Sequence, residues 1–303
     1  MKKKERIVVF GVPSSAGAWS VGQEKAPARL REQGIVDRLK SRGLNVCDLG
    51  DTAVVPYRPD PQNPKQQNID LVRAVALDTA ARLGDILGRD DIPLILGGGC
   101  TVTIGVLAAM VARHDRLGLV YFDGDLDFNT PSVSPSGTLD GMVLAHITGK
   151  GAPRLSEIST TVPLVPEERV AAFGYNLEAG WIDPYEIESL NHSAIIPFPI
   201  AEVRKAPAAA SRAAMNRLQR TADCFVLHFD VDAMDGQEFP ACDARHKLGL
   251  SASDVATALC EFTGNPNCVG VVVTEYNPDL DPTGDCGRKL IDILEAALAE
   301  RRA

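Results

Sequence analysis

Three aspartates stand at every second position in YFDGDLDFNTP, as Asp123, Asp125 and Asp127, and the theme recurs in FDVDAMD as Asp230, Asp232 and Asp235. Like charges spaced this closely repel unless cations, hydrogen-bond donors or open water offset them. Residues two apart on an extended chain point the same way. Asp123, Asp125, Asp127, Asp230 and Asp232 can therefore form an oxygen-rich pocket suited to divalent cations. Solvated loop charges or helix caps are the alternative for either cluster. Cys100 in GGGCT and Glu275 in TEYNPDLD add further reactive side chains. Of five histidines, His228 alone falls inside a motif, while His114, His146, His192 and His246 stand outside. His228 shares the direction of Asp230, as a ligand or base or as a core histidine satisfied by hydrogen bonds.

Spacing removes several specific sites. An EF-hand loop starting at Asp123 needs glycine where Phe128 stands and glutamate where Ser134 stands. GGGCTVTIG lacks both the GK[ST] of a phosphate loop and the spacing of a dinucleotide fingerprint. FDGDLD lacks the threonine expected soon after the DxD of haloacid-dehalogenase phosphatases.

Each reactive segment follows an apolar run. GGGCT follows IPLIL, the aspartate triplet follows LGLVY, DVDAMD follows CFVLHF, and Glu275 ends VGVVVT. The strand candidates are RIVVFGV, LNVCDLG, IPLILGG, LGLVYFD, RVAAFGY, AIIPF, CFVLHFD and VGVVVTE. Amphipathic stretches lie between them, among them APARLREQGIVDRLKSRG, NIDLVRAVALDTAARLGDILGR and SASDVATALCEF, and RKLIDILEAALAERRA closes the sequence. Continuous apolar strands separated by helices predict a three-layer α/β/α fold with a mostly parallel central sheet. Open sheets of this kind bind ligands outside the carboxyl ends of their strands, so segments distant in sequence can meet at one edge. YRPDPQNPKQQN reads as a loop, and residues 1–303 read as one domain without internal repeats.

Composition narrows the partners. A net charge of -9, with no basic run longer than the KKK near the start, argues against nucleic acid and anionic membranes. The run Ile7–Val12 is too short for the core of a signal peptide and reads as a first strand. No stretch approaches the ~20 apolar residues of a membrane-spanning helix. Seven cysteines without a CxxC pair fit reduced thiols and a cytoplasmic location.

These motifs, in this order, resemble the arginase, agmatinase and formiminoglutamase family, the ureohydrolases, over essentially the whole length. GVPSSAGAWSVGQEKAPARLREQGIVDRLKSRGLNVCDLGD is similar to the family's opening strand, glycine-rich loop and first helix. GGGCT stands where the family has GGDHS, DGDLDFNTP where it has DAHxDxNTP, FDVDAMD where it has FDxDxxDP, and TEYNPDLD where it has E-x-NP-x-x-D. The resemblance implies an arginase-like fold and two manganese ions held by two histidines and four aspartates. The aspartates map onto Asp123, Asp127, Asp230 and Asp232, and both histidine positions differ, as Cys100 and Asp125. Four carboxylates balance two divalent ions, -4 against +4; ionised Asp125 brings the ligand set to -5 and a Cys100 thiolate to -6. At close range each uncompensated charge is worth roughly 4 kcal/mol at an effective dielectric of ~20. Such a set holds cations tightly while making a bridging water less acidic. A thiolate favours zinc or iron over manganese, so mixed, single-metal and metal-free centres are all open, as is a plain buried thiol.

The remaining correspondences concern substrate. Asn129 and Ser136 match residues that hold an amino-acid carboxylate, and Glu275 matches the glutamate that binds the guanidinium. Asp140 occupies the position of the proton-shuttling histidine, where an exposed aspartate with a pKa near 3.9 is a poor acid at neutral pH. GYNLEAGW and ACDARHKLGL depart from the family's substrate loops. A hydroxyarginine-hydrolase branch shows a similar cysteine and His-x-Asp-x-Asp pattern but keeps the second histidine. The expectation is a metal-dependent hydrolase of a linear guanidino, hydroxyguanidino or amidino compound. Water activated between Asp123 and Asp230 attacks the central carbon while Glu275 holds the cationic group. The alternatives are a metal-poor binding or scaffold protein and a thiol-dependent enzyme using Cys100. The family resemblance further implies a homo-oligomer, a trimer or hexamer.

Overall fold

The computed structural model describes residues 5–302; Met1–Lys4, with the basic start of the chain, and Ala303 lie outside the described residues. Eight strands form one sheet: β1 (Arg6–Val12), β2 (Val46–Asp51), β3 (Asp91–Gly97), β4 (Leu117–Phe122), β5 (Val170–Phe173), β6 (Ile196–Phe198), β7 (Cys224–Asp230) and β8 (Cys268–Thr274). They lie in the order β2-β1-β3-β8-β7-β4-β5-β6, and every pairing is parallel. Parallel strands need crossover connections, and the intervening helices cover both faces, which is why the central strands read as unbroken apolar runs.

Alternate side chains feed two apolar layers. Val120, Phe122, Phe173, Leu227 and Phe229 point into one layer, and Leu119, Tyr121, Val170, Val226 and Val272 into the other. Within the first layer Phe173 meets Phe122 edge-on at 4.9 Å and Phe262 at 5.0 Å, a geometry that suits the aromatic quadrupole. Among the described residues no helix is long and apolar enough to cross a membrane.

The strands that carry the reactive segments, β3, β8, β7 and β4, are four consecutive neighbours at the centre of the sheet. Register pairs Phe122 with Phe229 and Asp230 with Thr274. Asp123, Asp230 and Glu275 therefore leave the sheet at nearly the same height. Two details differ from the sequence pattern. Residues 26–43 form two helices, Ala26–Glu32 and Ile35–Ser41, because Gly34 between them adopts φ 88. The edge strand β2 is largely exposed, with Arg31 bridging Asp48 and Asp51 on it.

Candidate metal centre

Cys100 reaches the centre through the glycine triplet after β3. A Cβ at Gly98 would lie 1.9 Å from the Ser14 carbonyl oxygen, so only glycine lets this turn pack against the end of β1. The turn opens the helix Val102–Val111, whose first amides lack intrahelical acceptors. Glu275 accepts from the Cys100 amide at 2.9 Å and Asp140 from the Thr101 amide at 2.7 Å. Both carboxylates are thus fixed by the positive end of one helix.

The aspartates are set by backbone donors. Asp123 accepts from the Asp125 amide at 2.6 Å, Asp230 from the Asp232 amide at 2.8 Å, and Asp232 from the Gly124 amide at 3.1 Å. The first two fix each turn locally, and the third ties the loops after β4 and β7 together. Asp127, at φ 48, accepts a hydrogen bond from the Tyr121 hydroxyl.

Two groups of donor atoms result, each with its members within 4.8 Å of one another: Cys100, Asp123, His228 and Asp230, and Asp125, Asp232 and His246. Cys100 Sγ lies 2.7 Å from Asp230 Oδ2 and 4.0 Å from Asp123 Oδ2. His228 is fully buried, with Nδ1 2.8 Å from Thr103 Oγ1 and its ring stacked on Tyr121 at 4.2 Å and 3°. His246 Nε2 lies 3.2 Å from Asp125 Oδ2 and 3.6 Å from Asp232 Oδ2. Neither of its ring nitrogens has a partner in hydrogen-bonding geometry, and Asp125 Oδ1 is likewise buried without one. Orphaned buried polar atoms require an explanation. A sulfur, two imidazoles and several carboxylate oxygens converging here form a donor set that fits divalent cations.

The local charges press hard on one another. Burial first, and neighbouring carboxylates second, push Asp123, Asp127, Asp230 and Glu275 well above the usual carboxylate range. The same two causes raise the Cys100 thiol well above its ordinary value. Burial raises Asp125 against the opposing pull of His246. Burial would lower His246, but Asp125 and Asp232 outweigh it and carry its pKa to about 11. His228, with burial as the cause, sits at about 3.

The four mapped aspartates, Cys100, Asp125, Asp140, Asn129, Ser136 and Glu275 all line one cavity of 270 Å³. Asp127 stands outside both donor groups. His228 is fully buried and is not among the residues that line this cavity. Asp140 is not the exposed acid the sequence suggested: burial raises its pKa to about 6, against the bonds from Thr101, and its Oδ2 has no partner. Asn129 donates to Asp183 at 3.2 Å, and Ser136 Oγ accepts from the Thr138 amide at 3.2 Å. The loop YRPDPQNPKQQN braces this wall, with Lys65 donating to the Ser134 carbonyl and Gln67 to that of Ser136.

Sequence reading passed over His246, whose only signal was its place in ACDARHKLGL, a segment that departs from the family pattern. It also passed over Gln23, which donates to Asp243 at 2.8 Å and to Glu275 at 3.3 Å. Trp19 and Trp181, half-exposed and 6.2 Å apart at the cavity, were unremarked as well.

Comparison with known proteins agrees with this architecture. Arginase of Staphylococcus aureus (strain MRSA252) is 28% identical over 306 residues, covering 99% of each chain. The crystal structure of arginase from Bacillus subtilis superposes with a TM-score of 0.87 at 25% identity, over 97% of this chain and 98% of that one. Formimidoylglutamase from Bacillus subtilis subsp. subtilis str. 168 shares the fold, with a TM-score of 0.76 at 19% identity over 100% and 89% of the two chains. The sequence model described as Arginase family matches residues 5–299, and the chain belongs to that family.

Proposed function

We propose that the protein hydrolyses a C–N bond of a linear guanidino, hydroxyguanidino or amidino compound, using divalent ions held by Cys100, Asp123, Asp125, Asp230 and Asp232 together with His228 and His246, with Asp127 beside them on the cavity wall. The observation that carries this reading is the cavity lining, which among the described residues contains ten carboxylate residues and neither lysine nor arginine. Such a wall repels anions and accepts metal ions and a planar cation together. Divalent ions bound there supply Lewis-acid polarisation and activation of water. Family membership favours manganese, and the sulfur donor favours zinc or iron.

The chain's own groups divide the remaining work. Glu275, anchored through Oε1 to the Cys100 amide, faces the cationic end of the substrate. Asp140 is held through Oδ1, which leaves Oδ2 free, and a pKa of about 6 suits proton transfer to a leaving amine near neutral pH. Asn129 and Ser136 offer polar contacts to the substrate's far end. The thiol-nucleophile alternative loses ground, because burial and Asp230 raise the Cys100 pKa, opposite to what nucleophilic cysteines need.

The test is release of urea, hydroxyurea, ammonia or formamide from a panel of guanidino, hydroxyguanidino and formimino compounds, with protein reconstituted separately with manganese, zinc and iron. The expected result is metal-dependent turnover of at least one compound, abolished in Asp230→Asn and with KM raised in Glu275→Gln. Metal-loaded protein that turns over none of them would support the binding or scaffold alternative. Light scattering on the same samples tests the trimer or hexamer expected of the family.

A further inference from the structure

Where the resemblance puts imidazoles, this chain has Cys100 and Asp125, yet two histidines from other segments reach the same space. His228 comes from within β7 and brings Nε2 to 3.7 Å from Cys100 Sγ and 3.5 Å from Asp123 Oδ2. His246 returns from the loop after β7 to lie 3.2 Å from Asp125 and 3.6 Å from Asp232. Around a tetrahedral ion, with metal–sulfur near 2.3 Å and metal–nitrogen or metal–oxygen near 2.0–2.2 Å, neighbouring donors stand roughly 3.3–3.6 Å apart. Both imidazoles are already near ligand-to-ligand spacing.

A third position supports the relocation. Gly124 stands where the family motif DAHxD has alanine, and a Cβ there would lie 2.7 Å from His246 Cδ2 and 2.8 Å from the Asp232 carbonyl oxygen. The ring of His246 occupies room that a side chain at 124 would fill. The two rings are also held differently. His228 has Nδ1 engaged by Thr103 and its face on Tyr121, so Nε2 is aimed at the sulfur and Asp123. His246 is 1% exposed with both nitrogens lacking a hydrogen-bond partner, a costly state unless another electrophile takes one of them.

We infer that the two displaced histidines complete two chemically unlike metal sites: Cys100 and His228 with Asp123 and Asp230 take a thiophilic ion such as Zn²⁺ or Fe²⁺, and His246 with Asp125 and Asp232 takes a harder ion such as Mn²⁺. Thiolate is a soft donor that selects zinc and iron, while two carboxylates and one imidazole carry no such preference and accept manganese. An ion entering the second site is met by a His246 nitrogen that has no other partner, and one entering the first displaces the thiol proton, which leaves to solvent. The inference rests on the metal-dependent reading above but not on which substrate is cleaved.

The experiment uses Co²⁺ as the probe on chelator-stripped, full-length protein. The wild type should bind two equivalents, only one of which produces a near-ultraviolet thiolate-to-cobalt charge-transfer band. Cys100→Ser should lose the band while keeping the other equivalent, and His228→Ala should weaken the band-producing equivalent at least about tenfold. His246→Gln should bind one equivalent fewer with the band intact, and so should Gly124→Ala, whose Cβ crowds both the His246 ring and the Asp232 carboxylate of the second site. Zn²⁺ should then bleach the band first, and added Mn²⁺ should occupy the other half, read by its paramagnetic resonance. Circular dichroism checks that each variant is folded, and two independent variants of the second half protect the test against one failing. Bound cobalt without a charge-transfer band overturns the inference. So does a His246→Gln protein that binds as many ions as the wild type, since His246 is then a counter-ion to Asp125 and Asp232. Failure of the functional proposal looks different: cobalt binds as described, but no guanidino or amidino compound is cleaved.

Discussion

Thr103→Val tests whether the second coordination layer around His228 is built as described. Thr103 Oγ1 and His228 Nδ1 lie 2.8 Å apart, and both residues are fully buried. Valine preserves the shape, so the change removes one polar partner without opening a cavity. An imidazole N–H left buried without an acceptor costs about 1–3 kcal/mol. The ring can escape by moving its proton to Nε2, but that nitrogen then points its proton toward Asp123 and no longer presents a lone pair. Stability and metal binding therefore respond together. Urea denaturation of metal-free protein should show a loss of about 1–3 kcal/mol at unchanged slope, and zinc affinity should fall about 10–100-fold. Thr103→Ser, which keeps the hydroxyl, should restore most of the affinity. If Thr103→Val stays within about 0.5 kcal/mol of the wild type and binds zinc equally well, the hydroxyl does not orient the ring and the reasoning fails.

Gly98→Ala forces a Cβ to within 1.9 Å of the Ser14 carbonyl oxygen, so the glycine turn must shift; a destabilisation of at least about 1–3 kcal/mol and a loss of bound metal should appear in denaturation and elemental analysis. His146, fully buried and accepting from the Ala152 amide at 3.1 Å, is held by burial at about 3. The unfolded chain takes up its proton near pH 6.5 and the folded chain refuses it until about 3. Stability contributed by this group is therefore full above pH 6.5 and falls by about 1.4 kcal/mol per pH unit on acidification toward 3. His146→Asn keeps an acceptor but does not titrate, and denaturation between pH 6 and 4 should show a shallower slope; an unchanged slope means that His146 is not the group responsible. Asp140→Asn keeps the bond to the Thr101 amide while removing the proton donor, so kcat should drop about 10²–10⁴-fold with metal content unchanged. In the wild type a donor with a pKa of about 6 loses its proton as pH rises, so the alkaline fall of kcat should vanish in the variant if Asp140 is that donor.

The sheet and the family were legible in the sequence because they are written in short-range terms. Eight apolar runs such as RIVVFGV and CFVLHFD mark strands buried on both faces, and a reactive cluster at the end of four of them marks one edge of the sheet. Spacing and their place at strand ends let Asp123, Asp125, Asp127, Asp230 and Asp232 be gathered as neighbours, since the carboxyl ends of parallel strands lie on the same side. The break at Gly34 was less legible, because the apolar pattern continues across it and only a left-handed backbone angle interrupts the helix. Tertiary structure alone decided which histidines matter. His246 lies fourteen positions beyond Asp232 and has no periodicity to announce it. It reaches the centre because its loop closes on itself, with the Gly236 amide donating to the His246 carbonyl at 2.8 Å and Met234 bridging Leu250. The space for it exists because residue 124, on another strand's loop, is glycine. Asp125 and His246 are far apart along the chain, and they meet only where β4 and β7 lie side by side and bring their loops together.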